Sequence, residues 1–308
     1  VKALLRPLPL RPGDAVAVVA PSGPVEGAKL ERGLARLREA GYEPVRSRGI
    51  LSRDRYLAGS DEKRAERLRW AFDHPEARAV WAARGGYGAT RLLPLLDWRA
   101  LASRRKLVVG YSDVTAILSF LSTRLHVPTV HGPMPAADLS RPGGEKSLEP
   151  FARLVAGETE CGERWGPPCV PLRGGTAEGI LAGGCLSVLT SLLGTPYEPD
   201  FRGAILFLED VAEPAYRIDR MLAQWLQSGR LSDVRGILVG RLVPARGETE
   251  VEAAHPVAEA AARLSVPCWY GFPAGHGGAN VPIPFGVRGR VDGKGRLSLL
   301  ESPVGDEG

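Results

Sequence analysis

A serine that follows a short apolar strand and opens a helix stands where a nucleophile is useful. Ser112 has that setting, in Val109-Gly110-Tyr111-Ser112-Asp113, with strand signal over 107–109 and helix signal over 114–125. The start of a helix leaves backbone N–H groups unpaired and carries positive potential, so it can steady an oxyanion. The segment approaches the nucleophile elbow G-x-S-x-G, with Val114 where the second glycine would stand. The ordinary alternative is that Ser112 or Asp113 caps the helix, and the segment alone favours the cap. A second loop, Arg84-Gly85-Gly86-Tyr87-Gly88, also follows a strand. Its glycines permit positive φ and close backbone approach. The dinucleotide spacing and the P-loop lysine are both absent. A ligand-free tight turn fits the loop, and so does a second oxyanion donor at the Gly86 N–H if a nucleophile lies nearby.

A serine nucleophile needs a base, and histidine is the usual one. His74, His126 and His255 lie at helix ends or beside proline and read as surface residues. His131, in Thr129-Val130-His131-Gly132, follows a strand and can line a cleft. His276 sits in Gly275-His276-Gly277-Gly278, where flanking glycines leave room to present an imidazole. Structural and functional roles are equally open to it. The base needs a carboxylate to orient it. The hydrophobic strand Ile205-Leu206-Phe207-Leu208 ends in Glu209-Asp210. That is where acids at the carboxyl edge of a parallel sheet would meet a site. A solvated strand end with a helix cap at Asp210 fits the same residues.

The surrounding elements alternate. Apolar runs over 15–20, 79–83 and 107–109 read as buried strands, with a short one near 44–47. Helical spacing over 26–40, 61–72, 90–96 and 114–125 separates them. Strand and helix in turn predict a parallel sheet covered on both faces. From Ser140 the chain becomes rich in Gly, Pro and charge, and 146–175 reads as a linker between an N-terminal domain (1–145) and a C-terminal one (176–308). The second part shows strands over 177–181, 204–208 and 236–239, and helices over 186–193, 216–227 and 251–264. A closing hairpin is expected around Asp292-Gly293-Lys294-Gly295.

Composition narrows the classes. The chain has 308 residues, 44% of them hydrophobic and 24% charged, with a net charge of +5. No dense Lys/Arg block with interleaved aromatics is present, so a solvated Arg-rich surface or an anionic small substrate is expected rather than nucleic acid. Cys161, Cys169, Cys185 and Cys268 form no C-x-x-C pair. Neither zinc nor a disulfide framework is expected, and a reducing cytoplasm is the default. No run approaches 18 apolar residues, so no membrane span is expected. Val1–Leu10 is broken by Arg6, Pro7 and Pro9 and does not read as a signal-peptide core.

Taken in order, these motifs resemble the LD-carboxypeptidase family of serine peptidases over nearly the whole chain. The resemblance rests on Gly13-Asp14-Ala15-Val16-Ala17-Val18-Val19-Ala20-Pro21-Ser22, the Arg84–Gly88 loop, Gly110-Tyr111-Ser112-Asp113 and His131-Gly132-Pro133-Met134. It continues through Gly183-Gly184, Gly194-Thr195-Pro196, Leu208-Glu209-Asp210, Tyr216-Arg217-Ile218-Asp219-Arg220 and Gly275-His276. It implies an α/β fold with a flavodoxin-like or class I glutamine amidotransferase-like parallel-sheet domain, then a swivelling, barrel-like β/α domain. It implies Ser112 as nucleophile, His276 as base and Glu209 as its partner, with Gly86 and Asp113 N–H groups for the oxyanion. Substrate contacts would come from Arg84, Gly85 and Tyr111. No cofactor or metal is implied, and a homodimer is. The family's reaction releases terminal D-alanine from murein tetrapeptide in cell-wall recycling. A related branch cleaves microcin C-type peptidyl-nucleotides and needs an aromatic group to stack on a base, for which Trp165 is the candidate. One departure is Cys185, where the family commonly has asparagine after the paired glycines. A non-catalytic nucleotide- or sugar-binding α/β protein is the alternative of another class, and it would leave Ser112, Glu209 and His276 unrelated in space.

Overall fold

The computed structural model describes residues 4–278 and 280–305. The first sheet takes β1 (Ala15–Val19), β2 (Glu43–Arg46), β3 (Ala77–Ala82), β4 (Leu107–Gly110) and β5 (Thr129–His131), all parallel. The second draws on β6 (Glu163–Arg164), β7 (Val170–Arg173), β8 (Ala177–Cys185), β9 (Ala204–Glu213), β10 (Gly236–Pro244) and β11 (Cys268–Tyr270). The chain ends in β12 (Ile283–Phe285), β13 (Arg288–Val291) and β14 (Leu297–Leu299). Strand order is β12-β5-β4-β3-β1-β2 in the first sheet and β6-β14-β13-β8-β9-β10-β11-β7 in the second. Parallel β8 to β11 form the centre of the second sheet, and antiparallel strands flank them.

Eight α-helices connect these strands among the described residues: α1 (Gly27–Glu39), α2 (Asp61–Asp73), α3 (Trp98–Ala102), α4 (Thr115–Arg124), α5 (Leu148–Ala156), α6 (Leu186–Ser191), α7 (Ala215–Gln227) and α8 (Glu250–Leu264). Their apolar faces follow the helical repeat. In α1 the buried residues are Leu30, Gly33, Leu34 and Leu37. Gly33 is small for a reason. A Cβ there would lie 2.0 Å from the carbonyl oxygen of Pro135, so only glycine lets α1 pack against the turn Pro135–Leu139.

The segment read as a linker is built into both halves. Phe151 of α5 is fully buried and packs against Trp81 and Tyr42 in the first core. β6 and β7 are the two edge strands of the second sheet. β12 departs from the simple order as well. It leaves the second half of the chain and adds an antiparallel strand to the first sheet, pairing Ile283 with His131.

Strand parity explains how the halves face each other. Successive side chains of a strand point to opposite faces. In β9, Ile205 and Phe207 join the core shared with the first sheet, whereas Leu206 and Leu208 pack with Ile218, Leu222 and Trp225 of α7 and Val257 of α8. The next odd residue is Glu209, which therefore faces the first domain. Asp210 faces the helices, where its Oδ2 accepts the Ser187 N–H at 2.7 Å at the start of α6.

Candidate active site

Ser112 follows β4 and begins the turn into α4, with φ of 62°. A non-glycine residue in this left-handed region is uncommon and is held there by its surroundings. One of those surroundings is Gly85. A Cβ on Gly85 would lie 2.7 Å from both Cβ and Oγ of Ser112. The glycine loop therefore touches the serine directly. Gly86, at φ of 125°, is exposed beside it. The loop is pinned from below by the residue after the serine. The buried Asp113 carboxylate accepts the Ala89 N–H at 2.8 Å. Burial raises the Asp113 pKa, and this hydrogen bond opposes the rise. The fully buried Arg64 guanidinium completes the support, donating to the carbonyls of Gly88, at 2.9 Å, and Pro21.

His276 arrives from the connection between β11 and β12. Its Nε2 is 3.0 Å from Ser112 Oγ and its Nδ1 is 2.7 Å from Glu209 Oε2. The same Oε2 accepts the His276 backbone N–H at 3.2 Å. Gly275 has to be glycine, because a Cβ there would lie 2.6 Å from Glu209 Oε2 and its φ is 102°. Asn280 closes the loop: its Oδ1 accepts the Gly275 N–H at 3.0 Å, and its own N–H reaches Ser147 Oγ at 2.9 Å. Burial pulls the His276 pKa down, but the Glu209 charge and hydrogen bond, helped by Asp210 and Asp138, outweigh it and leave the value raised.

The motif glycines of the second domain act at the seam. Gly183 and Gly184, both at positive φ, end β8 against α4. A Cβ on Gly184 would lie 2.5 Å from Thr115 Cγ2, and the Cys185 N–H donates to Thr115 Oγ1 at 3.1 Å. Cys185 itself is buried with its Sγ 3.4 Å from Asp210 Oδ1. Burial first, and then the charges of Asp210 and Glu209, push its thiol pKa well up. A protonated, enclosed thiol is no nucleophile.

The cleft over Ser112 has a volume of about 250 Å³ and is lined by Arg84, Gly85, Gly86, Tyr111, Arg141 and His276, among others. Arg84 lies half-buried at the rim and gives Nη1 to the Pro24 carbonyl at 3.0 Å. Tyr111 differs from a simple substrate contact. Its hydroxyl donates to Asp138 Oδ1 at 3.0 Å, and its ring edge packs on His276 with centroids 5.0 Å apart. The remaining candidates separate. His131 ends β5 fully buried among Tyr111, Phe207 and Phe285, and burial pushes its pKa down to about 3. Trp165 is buried too, with Nε1 donating to the Pro282 carbonyl at 2.6 Å, so it offers no face to a nucleobase.

Two α/β sheets that bring a serine hydroxyl to a carboxylate-held imidazole define a serine hydrolase as a class. Comparison with known proteins makes the assignment narrower. The chain belongs to the LD-carboxypeptidase family: residues 16–132 match its N-terminal domain and residues 178–291 its C-terminal domain. It is a serine-type LD-carboxypeptidase. It is similar to the murein tetrapeptide carboxypeptidase of Pseudomonas aeruginosa, at 36% identity over 90% of this chain and 93% of the relative. Among solved structures it resembles the muramoyltetrapeptide carboxypeptidase from Oxalobacter formigenes, with TM-score 0.79 and 31% identity over 92% of this chain and 97% of that one. It also shares its fold with the microcin C7 self-immunity protein MccF, with TM-score 0.90 and 22% identity over 98% of this chain and 100% of that one.

The sequence reading missed Asp113 as a loop anchor, Asn280 as a clamp on the histidine loop and Asp138 as the partner of Tyr111. Only Asp113 had a local signal, an acid placed directly after the serine.

Proposed function

We propose that the chain removes the terminal D-alanine from murein tetrapeptide, with Ser112, His276 and Glu209 acting as one unit. The observation that carries this reading is the continuous relay from Ser112 Oγ to His276 Nε2, 3.0 Å, and from His276 Nδ1 to Glu209, 2.7 Å. His276 takes the serine proton as Oγ attacks the carbonyl carbon of the L,D amide. Glu209 holds the resulting imidazolium. The N–H groups of Gly86 and Asp113 receive the tetrahedral oxyanion. His276 Nε2 then gives its proton to the departing amine as the C–N bond breaks, leaving an acyl ester on Ser112. Water, deprotonated by the same imidazole, hydrolyses that ester.

A carboxypeptidase substrate carries a free carboxylate one residue from the scissile bond. Arg84, next to the glycine that touches Ser112 and without an ion-pair partner among the described residues, is the group we assign to it. The murein reading is supported by relatives named for that substrate. The microcin-type alternative draws on a likeness at 22% identity, which speaks for the fold, and loses its stacking candidate with the burial of Trp165. As part of this proposal the enzyme serves peptidoglycan recycling in the cytoplasm, in keeping with four free thiols, and works as a homodimer. Among the described residues no helix is long and apolar enough to cross a membrane.

Incubation with murein tetrapeptide and with an aminoacyl-adenylate analogue, following free D-alanine and free nucleotide, tests the assignment. D-alanine release that disappears in Ser112→Ala supports it. Nucleotide release alone moves the enzyme to the other branch. Turnover retained by Ser112→Ala refutes the nucleophile.

A further inference from the structure

The catalytic cleft has a neighbouring cavity. Ser140 and Arg141 line both the cleft over Ser112 and a second cavity of about 530 Å³. That cavity runs along the outer face of α1, past Arg32, Ala35 and Arg36. Arg32 Nε donates to the Ser140 carbonyl at 3.3 Å, which ties α1 to the turn that carries Arg141. Arg36 is neutralised by Glu39, at 2.9 Å, and Glu145, at 3.7 Å. Arg141 is exposed and makes no ion pair among the described residues. Its positive charge reaches the buried Tyr111–Asp138 pair, where it favours the ionised forms against the effect of burial. Arg141 is thus a cation with no direct ion pair among the described residues, placed where the two cavities meet.

The geometry of an exopeptidase gives that cation a direction. On the leaving side of the scissile bond there is one residue and one carboxylate. Everything else in the substrate lies on the acyl side. The cavity that adjoins the catalytic cleft at Ser140 and Arg141 therefore suits the acyl side, and Arg84 beside Ser112 the short one. In a murein peptide the acyl side includes a γ-linked D-isoglutamyl residue, whose α-carboxylate is free unless it has been amidated.

We propose that the groove shared by Arg141 and Arg32 is an acyl-side subsite for an acidic residue, in which Arg141 receives the free α-carboxylate of D-isoglutamate. The inference rests on the murein reading above and adds to it the part of the substrate that is distinguished. A forked guanidinium fits a carboxylate and has no acceptor for an amide's N–H donors. Amidation of the isoglutamyl residue then acts as a chemical label that this enzyme reads.

The experiment uses the full chain and two tetrapeptides that differ only in D-isoglutamate against D-isoglutamine, with D-alanine release followed for each. The wild type should favour the acid by about tenfold in kcat/KM, the size of one partly exposed charge-assisted contact. Arg141→Ala should bring the two substrates level, chiefly by raising KM for the acid. Arg141→Lys should keep part of the preference. Arg141 is exposed, so these variants should fold as the parent does, and an unchanged Tm checks that. Equal rates on the two substrates in the wild type overturn the proposal, as does a preference that survives in Arg141→Ala. Release from neither substrate overturns the murein reading itself, and this inference with it.

Discussion

Substituting alanine for Gly85 should cripple the nucleophile while leaving the fold in place. Gly85 does not have positive φ, so its backbone accepts alanine, and the added methyl group is the whole perturbation. That methyl would lie 2.7 Å from both Cβ and Oγ of Ser112. Carbon atoms rest about 3.5–4.0 Å apart, so the two groups must separate by roughly 1 Å. The Ser112 hydroxyl can swing away by rotation about χ1, but Cβ moves only with the backbone. That backbone already sits at φ of 62°. The loop on the other side is held by the Gly23 N–H on the Gly85 carbonyl, 3.2 Å, and by Asp113 on the Ala89 N–H, 2.8 Å. Displacement of about 1 Å at a reacting atom costs about 100-fold in rate. Overpacking of this kind costs about 1–3 kcal/mol in stability, and at roughly 2–4 °C per kcal/mol Tm should fall by a few degrees. Steady-state D-alanine release would give kcat and KM separately, and thermal unfolding would give Tm. Gly174→Ala is the matched control, because its Cβ would enter open space. A Gly85→Ala enzyme with the wild-type kcat and Tm would refute the claim that this close approach sets the position of the serine.

Ser112→Ala and His276→Ala should each lower kcat by several orders of magnitude, and the double variant should be no slower than either, because the residues act as a unit. Additive losses would argue for separate roles. Glu209→Gln should slow the reaction and also move the acid limb of the kcat/KM profile to lower pH. The sign follows from His276: it works as a base only when neutral, Glu209 is what raises its pKa, and burial alone would lower it. A limb that stays in place or moves to higher pH would contradict the pairing. Gly184→Ala should lower both Tm and kcat, since its Cβ would press on Thr115 at 2.5 Å from a residue with φ of 133°. Adding Thr115→Ala should return part of the loss, and no recovery would place the strain elsewhere.

Legibility in the sequence tracked the range of the interaction that decides each element. β1, β4 and the 79–82 part of β3 are continuous apolar runs, so they can be read locally, and α1, α2 and α8 carry a clear helical repeat. β12 could not be read this way. Ile283-Pro284-Phe285 is three residues long and contains a proline, and its identity as a strand comes only from β5 beside it. β6 and β7 fail for the same reason, as short, partly exposed edges in a stretch whose Gly, Pro and charge looked like a linker. At the site, Ser112, Glu209 and His276 were each ambiguous alone and became interpretable as an ordered set. Tyr111 reads as a substrate contact, but nothing in the one-dimensional pattern shows that its hydroxyl is committed to Asp138. Glu209 and Asp210 illustrate the point best. The strand-end acid and the helix cap looked like rival readings of the pair, and alternation along β9 assigns one to each residue.

The path of the chain also explains how two sheets can bring Ser112, His276 and Glu209 together. Ser112 belongs to the end of β4 in the first sheet, and Glu209 to β9 in the second. His276 lies on a connection that leaves β11 in the second sheet and enters β12 in the first. The imidazole is therefore tethered at both ends, one to each half of the site. Three contacts join the two halves of the chain close to the site: β12 on β5, the Thr115 hydroxyl on the Cys185 N–H, and Asn280 on Ser147. Each joins an element of the second half of the chain to one of the first. Paired glycines at 183 and 184, which have no side chain to offer a substrate, let β8 close against α4. The contacts from Ser112 to His276 and from His276 to Glu209 therefore belong to the assembled pair of sheets and to neither sheet alone.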